Sequence, residues 1–109
     1  MTLQLPPVVA DYFAADKDGD IDAILACFTE DVMVRDEGKT NQGHDAVRAW
    51  KTKSSNAYNY VSEPFAVTSE ADQTIVTSRL TGDFPGSPLD LRYFFTLREG
   101  KIAALEIKP

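Results

Sequence analysis

The sequence predicts a single α+β domain in which two or three N-terminal helices fold onto a curved antiparallel sheet. Its 109 residues are close to the commonest size of a single domain. Hydrophobic residues make up 43% and charged residues 26%, as in ordinary globular proteins. Apolar residues follow helical spacing in the first half and alternate in the second. Because the helices come first, they should cover one side of one sheet.

Three helices are predicted in the first half of the chain. The first begins at the Pro6–Pro7 pair, because proline suits the first turn of a helix, and runs to about Asp16. The second spans 21–28 and is capped by Asp20, and the third spans 44–54. The apolar stripes of the first two helices comprise Val8, Val9, Tyr12 and Phe13, then Ile21, Ile24, Leu25 and Phe28.

A short strand at 32–34 is expected before the third helix, followed by a turn at 36–39. Four longer strands then follow, and the short connections between them predict antiparallel neighbours. The strand at 89–98 has the clearest alternation, with five bulky apolar or aromatic residues on one face. The four longer strands are predicted at 59–68, 73–82, 89–98 and 101–107, and the shared face comprises Leu89, Leu91, Tyr93, Phe95 and Leu97.

Charge and composition argue against several classes of function. The net charge of −6, without a cluster of basic residues, disfavours nucleic-acid binding. No stretch approaches the roughly 18 apolar residues of a membrane span, and the N-terminus does not resemble a signal peptide. The single cysteine, Cys27, excludes an internal disulfide and is interpreted as a small buried hydrophobic residue. We therefore expect a cytoplasmic protein, of bacterial origin.

Four alternating aspartates near the end of the first helix resemble part of a calcium-binding loop. Such a loop needs Gly at its sixth position and Glu at its twelfth. Counted from Asp16, those positions hold Ile21 and Cys27, and the register from Asp18 also fails. We expect a solvated turn and no metal site, and we expect the only histidine, His44, on the surface. The aspartates are Asp16, Asp18, Asp20 and Asp22.

Three polar side chains fit poorly into a purely apolar core. Tyr12 lies on the apolar stripe of the first helix, either as a core tyrosine bonded to a carbonyl or as a phenol aimed into a cavity. Asp36 shares strand parity with Val32 and Val34. Its local sequence favours the first position of a turn, and the alternative is a general base at the mouth of an apolar pocket. Tyr93 is either a core residue or a second hydroxyl in that pocket.

The order of elements and four segments resemble the nuclear transport factor 2-like superfamily, and more narrowly its SnoaL-like and ketosteroid isomerase-like members. The resemblance covers essentially the whole chain and implies a single domain, 1–109. It implies a cone-shaped, curved antiparallel (mixed) sheet wrapped around the N-terminal helices, with three helices and four to six strands. It also implies an apolar pocket open at one end, and a homodimer. The segments are VVADYFAA (8–15), DGDIDAI (18–24), FTEDVMVRD (28–36) and GHDAVRAW (43–50).

The resemblance also implies roles for individual residues. Tyr12 matches the tyrosine that donates to an oxyanion in the isomerase, and Asp36 matches its general base. The position of the isomerase's second donor, a protonated aspartic acid, is taken by Tyr93, or by Arg92 if the alignment shifts. The chain also has Glu37 where the isomerase has proline, so the resemblance does not extend to steroid isomerisation.

The function implied is that of a small-molecule pocket protein. We expect an isomerase, cyclase or dehydratase that removes a proton α to a carbonyl of a small hydrophobic substrate, without a metal or organic cofactor. Tyr12, Asp36 and Tyr93 would be catalytic. A non-catalytic binder of a small apolar ligand and a protein-interaction module of the same fold are the alternatives. The pocket lining is expected to include Phe13, Phe28, Val34, Trp50, Leu91 and Phe95.

Overall fold

The computed structural model describes residues 3–57 and 59–109. Its first helix starts and ends at residues whose backbone preferences favour a helix boundary. Helix α1 (Pro7–Asp18) has proline in its first turn and ends two residues beyond the expected end. Gly19 follows with a φ of 70°, in the left-handed conformation that glycine adopts without strain. Its backbone N–H, and that of Asp20, close the end of the helix on carbonyls of the last turn, so the chain turns directly into the second helix.

Helix α2 (Ile21–Ala26) is shorter than predicted. Asp20 caps it as expected, because its Oδ1 accepts the Ala23 N–H at 3.1 Å. The predicted end at Phe28 is wrong, since Phe28 instead begins strand β1 (Phe28–Asp36). The apolar spacing of Phe28 fits either element, but the Cys27 carbonyl accepts a strand-type hydrogen bond from Ile102 at 2.8 Å. Pairing with a distant strand therefore overrides the local helical pattern.

Strand β1 is much longer than the predicted 32–34 and forms a hairpin with strand β2 (Lys39–Gln42), which the sequence did not predict. The turn consists of two residues, Glu37 and Gly38, with φ values of 53° and 75°. Positive φ at both positions is typical of the tight turns that join antiparallel strands. Asp36 is thus the last residue of a strand, and helix α3 (Gly43–Ala57) follows β2 directly.

The remaining strands form the predicted antiparallel meander, and all six belong to one open, curved, mixed sheet. The strand order is β2-β1-β6-β5-β4-β3, with β1 parallel to β6. Among the described residues, no helix is long and apolar enough to cross a membrane. Residues 1, 2 and 58 of the predicted domain 1–109 lie outside the described residues. The meander comprises β3 (Tyr60–Glu70), β4 (Gln73–Gly82), β5 (Leu89–Arg98) and β6 (Lys101–Lys108).

The register of the central strands brings Asp36 and Tyr93 to the same level of the sheet. Asp36 pairs with Ile107 across β1 and β6, and Tyr93 pairs with Ile107 across β6 and β5. Residues paired directly across strands point to the same face. Asp36 and Tyr93 therefore project from the same face two strand spacings apart, which is roughly 10 Å between their Cα atoms.

An aromatic cluster fills the space between α1 and the inner face of the sheet. Five rings contact one another edge-on or stacked, with centroids 5.2–6.2 Å apart. Such arrangements are the preferred geometries of aromatic pairs, so the cluster anchors α1 against the sheet. The cluster consists of Tyr12, Phe13, Phe28, Tyr93 and Phe95.

Candidate functional site

Two phenols from different elements meet in the interior of the domain. Tyr12 on α1 is 1% exposed and Tyr93 on β5 is 5% exposed. The Phe13 ring lies 5.2 Å from each of them, centroid to centroid. Arg92, the alternative to Tyr93, is exposed and donates to the Pro109 carbonyl at 3.2 Å. Tyr93 is therefore the residue that faces the interior.

The Asp36 side chain is held in the interior by a tryptophan. Asp36 is half-buried, and its Oδ2 accepts a hydrogen bond from Trp50 Nε1 at 3.0 Å. Asp36 holds the first position of the four-residue turn that the local sequence favours, since Glu37 and Gly38 are its central residues and Asp36 pairs with Lys39, but its carboxylate is directed to Trp50. The indole N–H of α3 orients a carboxylate at the end of β1, on the face that Tyr93 shares.

Both phenols are held neutral by their surroundings. Burial, followed by the Asp16 carboxylate, raises the pKa of Tyr12 well above its usual value, and Tyr93 and Asp36 raise it further. Burial also raises the pKa of Tyr93, although a hydrogen bond with Ser62 partly offsets that effect. Asp16 and Asp36 both raise the pKa values of the two hydroxyls, which are buried between α1 and the sheet. At neutral pH the phenols can donate hydrogen bonds there.

A buried ion pair lies beside the phenols, and the sequence analysis did not predict it. Lys51 on α3 is 4% exposed and forms an ion pair with the Asp16 carboxylate. Lys51 Nζ also donates to the Tyr60 hydroxyl at 3.2 Å, and that hydroxyl donates to Asp16 at 3.5 Å. The expectation that Asp16 is solvated is wrong, since its side chain is only 8% exposed. Helical spacing offered a signal, because Lys51 follows the buried Val47 by four residues.

Lys51 remains a cation in this setting. Burial lowers the pKa of its ammonium group, but the Asp16 carboxylate and the Tyr60 hydroxyl outweigh burial and raise the pKa above its ordinary value. An unpaired buried carboxylate or ammonium group would be strongly disfavoured, and the pair removes that cost. Lys51 and Asp16 are therefore both charged within the packed interior, and their opposite charges compensate each other.

Two serine hydroxyls on the inner face of β3 and β4 add to the polar groups of the interior. The hydroxyl oxygens of Ser62 and Ser78 lie 2.7 Å apart, and Ser78 is completely buried. Among the described residues, no side-chain N or O atom that is cut off from solvent lacks a hydrogen-bond partner. The interior therefore carries a satisfied polar network at one end of an apolar core.

Of the side chains predicted to line a pocket, some lie in the buried core and others are half-buried. Phe28, Val34 and Phe95 are fully buried, Phe13 is nearly so, and Trp50 and Leu91 are half-buried. Two open clefts, of about 550 Å³ and about 660 Å³, lie on other surfaces and are not lined by Tyr12, Asp36 or Tyr93. Of the predicted lining residues, Phe28 borders the larger of these two clefts.

The remaining polar residues singled out from the sequence have structural roles. Asp22 pairs with Arg48 at 2.7 Å, and Asp20 caps α2. His44 is half-buried instead of on the surface, and its Nε2–H donates to the carbonyls of Phe28 and Thr29 at 3.3 and 3.1 Å. Within 3–57 and 59–109, no three His, Cys, Asp or Glu side chains are grouped so that they could hold a metal ion.

We predict that stability falls steeply at alkaline pH. Tyr12, Tyr93 and Lys51 all have raised pKa values in the folded state. Their stabilising contributions are complete below the unfolded-state values near 10.0 and 10.5, and are lost as pH rises toward the folded-state values. Each proton contributes a slope of about 1.4 kcal/mol per pH unit. Urea unfolding between pH 8 and 11.5 measures how the free energy of unfolding changes with pH. The slope should be shallower in Tyr93→Phe, which lacks the ionisable hydroxyl. An unchanged slope would show that the Tyr93 hydroxyl does not contribute to the loss of stability.

Solved structures of known proteins share this architecture. The chain is 42% identical to a proposed polyketide cyclase from Sinorhizobium meliloti over 95% of both chains, with a TM-score of 0.92. It is 19% identical to TerC, crystallised with polyporic acid, over 94% of this chain and 88% of that one, with a TM-score of 0.84. A ketosteroid isomerase-like protein from Catenulispora acidiphila, bound to trimethylamine, is 18% identical over 97% and 87%, with a TM-score of 0.83. The last two likenesses show the fold alone.

Family membership rests on both sequence and structure. Among curated proteins, no sequence matches the chain significantly. The model of the SnoaL-like domain matches residues 9–105, which include α2, α3, nearly all of α1 and most of the sheet. Together with the Sinorhizobium relative, this match confirms the resemblance seen in the sequence. The chain therefore belongs to the SnoaL-like domain family.

Proposed function

We propose that the protein is an acid–base enzyme of the isomerase or cyclase type that removes a proton α to a carbonyl of a small hydrophobic substrate. The observation that carries this proposal is the position of Asp36. Its half-buried carboxylate is oriented by Trp50 at the end of β1, on the face and at the level of Tyr93. A general base and two neutral phenol donors around one region match the needs of enolate chemistry.

The proposed reaction is balanced without a cofactor. Asp36 takes the α proton, and the C–H electron pair forms an enolate whose oxygen accepts hydrogen bonds from Tyr12 and Tyr93. In a substrate whose enolate is conjugated with a C=C bond, Asp36 returns the proton to the far carbon of that system, which completes an isomerisation. In a substrate with a second carbonyl, the enolate carbon attacks that carbonyl, whose π electron pair moves to its oxygen and takes the proton from Asp36, which closes a ring. General-base catalysis supplies roughly 10²–10⁴-fold, and one oxyanion donor roughly 10²–10³-fold.

The comparisons support a small organic substrate. The Sinorhizobium relative is a proposed polyketide cyclase, and TerC was crystallised with polyporic acid. Tyr12 and Tyr93 are almost completely buried, so contact of such a molecule with their hydroxyls requires the surrounding side chains to shift. The cytoplasmic location and bacterial origin expected from the sequence remain predictions.

The second candidate is a binder of small apolar ligands with no catalytic step. The observation that favours it is the depth of the two phenols, which would orient a bound ligand without any need for a base. Activity assays on Asp36 variants separate the two functions, since a pure binder would not exchange a substrate proton.

We predict that Asp36→Asn abolishes α-proton exchange. The assay follows hydrogen–deuterium exchange of 2-tetralone and cyclic aliphatic ketones in D₂O by NMR. The variant should lose roughly 10²–10⁴-fold in exchange rate, because the amide is not a base, and Asp36→Glu should retain part of the rate.

The matched control is Asp31→Asn in the same strand, where an exposed carboxylate pairs with Arg98. Exposed ion pairs contribute little, so this variant should keep the wild-type rate. An Asp36→Asn protein that keeps full activity, or a wild-type protein that exchanges none of the ketones, would refute the proposed enzyme and favour the binder.

We predict that Tyr12→Phe lowers kcat by roughly 10²–10³-fold with a much smaller change in KM, because the lost hydrogen bond strengthens as the enolate forms. Tyr93→Phe should act in the same direction. Steady-state kinetics on a ketone identified by the exchange assay measure both. If both variants keep wild-type kcat, the phenols are core residues only.

We also propose that the chain forms a homodimer through the outer face of the sheet. Phe65 is 51% exposed and Val61 50% exposed on β3, and Met33 on β1 is also exposed. Light scattering should give twice the 12.0 kDa mass of one chain, and Phe65→Asp should give monomers because it places a charge in the apolar contact. A wild-type protein with the mass of one chain at all concentrations would contradict the dimer.

A further inference from the structure

A polar cluster beside the phenols consists of Lys51, Asp16 and Tyr60. Without the Lys51 ammonium group, the negative charge of Asp16 would oppose the enolate of the proposed reaction. Tyr12 and Asp16 are four residues apart on α1, so they lie on the same helix face, about one turn apart. The Asp16 carboxylate raises the pKa of both interior phenols. A negative charge that opposes ionisation of these hydroxyls also opposes an enolate oxygen bound to them.

Tyr60 reaches the same region from the other side. It lies two residues from Ser62 on β3 and so projects from the same face. Ser62 in turn hydrogen-bonds Tyr93 and contacts Ser78 at 2.7 Å. Because the Tyr60 oxygen accepts from Lys51 Nζ, its own proton is directed elsewhere, toward Asp16 at a long 3.5 Å. A substrate oxygen could compete for that weakly held proton.

We propose that Lys51 is a positioning residue of the site, which neutralises Asp16 beside the oxyanion and holds the Tyr60 hydroxyl as a third donor toward a substrate oxygen. This inference rests on the proposed function, because it concerns the same oxyanion. It adds a donor from the Lys51–Tyr60 pair to those of Tyr12 and Tyr93. Lys51 itself keeps its proton and forms no bond to substrate.

The test uses 4-nitrophenolate as an oxyanion probe and 4-nitroanisole as a neutral probe of similar shape. Binding is measured by titration at a pH where the phenol is ionised and all variants are folded. Lys51→Met should lower the ratio of phenolate to anisole affinity by about 10- to 30-fold, because it removes one favourable charge from a partly buried site. Asp16→Asn should raise the same ratio.

The double variant Lys51→Met/Asp16→Asn separates this role from a structural one. It removes both charges, so the affinity ratio should return to within about threefold of wild type, although the single variants deviate in opposite directions. Lys53→Met, an exposed lysine two residues along α3, is the matched control and should leave the ratio unchanged.

Two results would overturn the proposal. One is a ratio that does not change in Lys51→Met or that moves in the same direction in both single variants, as general destabilisation would produce. The other is a wild-type protein that does not bind the phenolate at millimolar concentration. If the affinity ratios change as expected but no ketone exchanges its protons, the oxyanion site is supported and the proposed enzyme is refuted. If ketones exchange their protons but the affinity ratios do not change as expected, only the role of Lys51 is refuted.

Discussion

The parallel pairing of β1 with β6 determines where the candidate site lies. A strand that follows two helices could have joined either edge of the later meander, but β1 lies beside the last strand and places Asp36 opposite Ile107. That register, continued to Tyr93 on β5, brings a carboxylate and a phenol to one face and one level. A shift by one residue would turn Asp36 to the outer face, since side chains alternate along a strand. The geometry of the site is thus a property of the strand register.

The interior combines two kinds of packing with different requirements. Toward one end, aromatic rings fill the space between α1 and the sheet and need no polar partners. Toward the other lie three separate polar pairs, which are Trp50 with Asp36, Lys51 with Asp16, and Ser62 with Ser78. Buried charges are weak contributors to stability compared with well-packed apolar side chains. Their presence in a domain of this size is therefore better explained by function than by folding.

Much of the architecture follows from local patterns in the sequence. The meander, the first helix and the inward direction of Tyr93 were predictable because alternation and helical spacing are strong over long segments. Phe28 was assigned to the wrong element because its spacing suits a helix, while its actual partner, Ile102, is far along the chain. Strand β2 is four polar residues with no apolar face, so only its pairing with β1 makes it a strand.

The site was harder to predict than the fold. Tyr12 and Asp36 stood out as polar residues in apolar patterns, but their proximity depends on tertiary packing. Asp16 and Lys51 resemble ordinary surface charges in the sequence, and only the approach of α3 to α1 buries them together. A charged residue is predicted to be exposed unless its partner is known, and here the partner lies 35 positions away.

Adjacent residues of α3 serve the two sides of the polar region. Trp50 reaches the end of β1, and Lys51 reaches α1 and β3. Consecutive residues on a helix are rotated by about 100° around its axis, so one short segment spans the gap between base and donors. A single insertion or deletion before Trp50 would rotate both side chains away at once. Helix α3 thus supports both side chains at once, and related sequences should keep its phase constant while the strands around it vary.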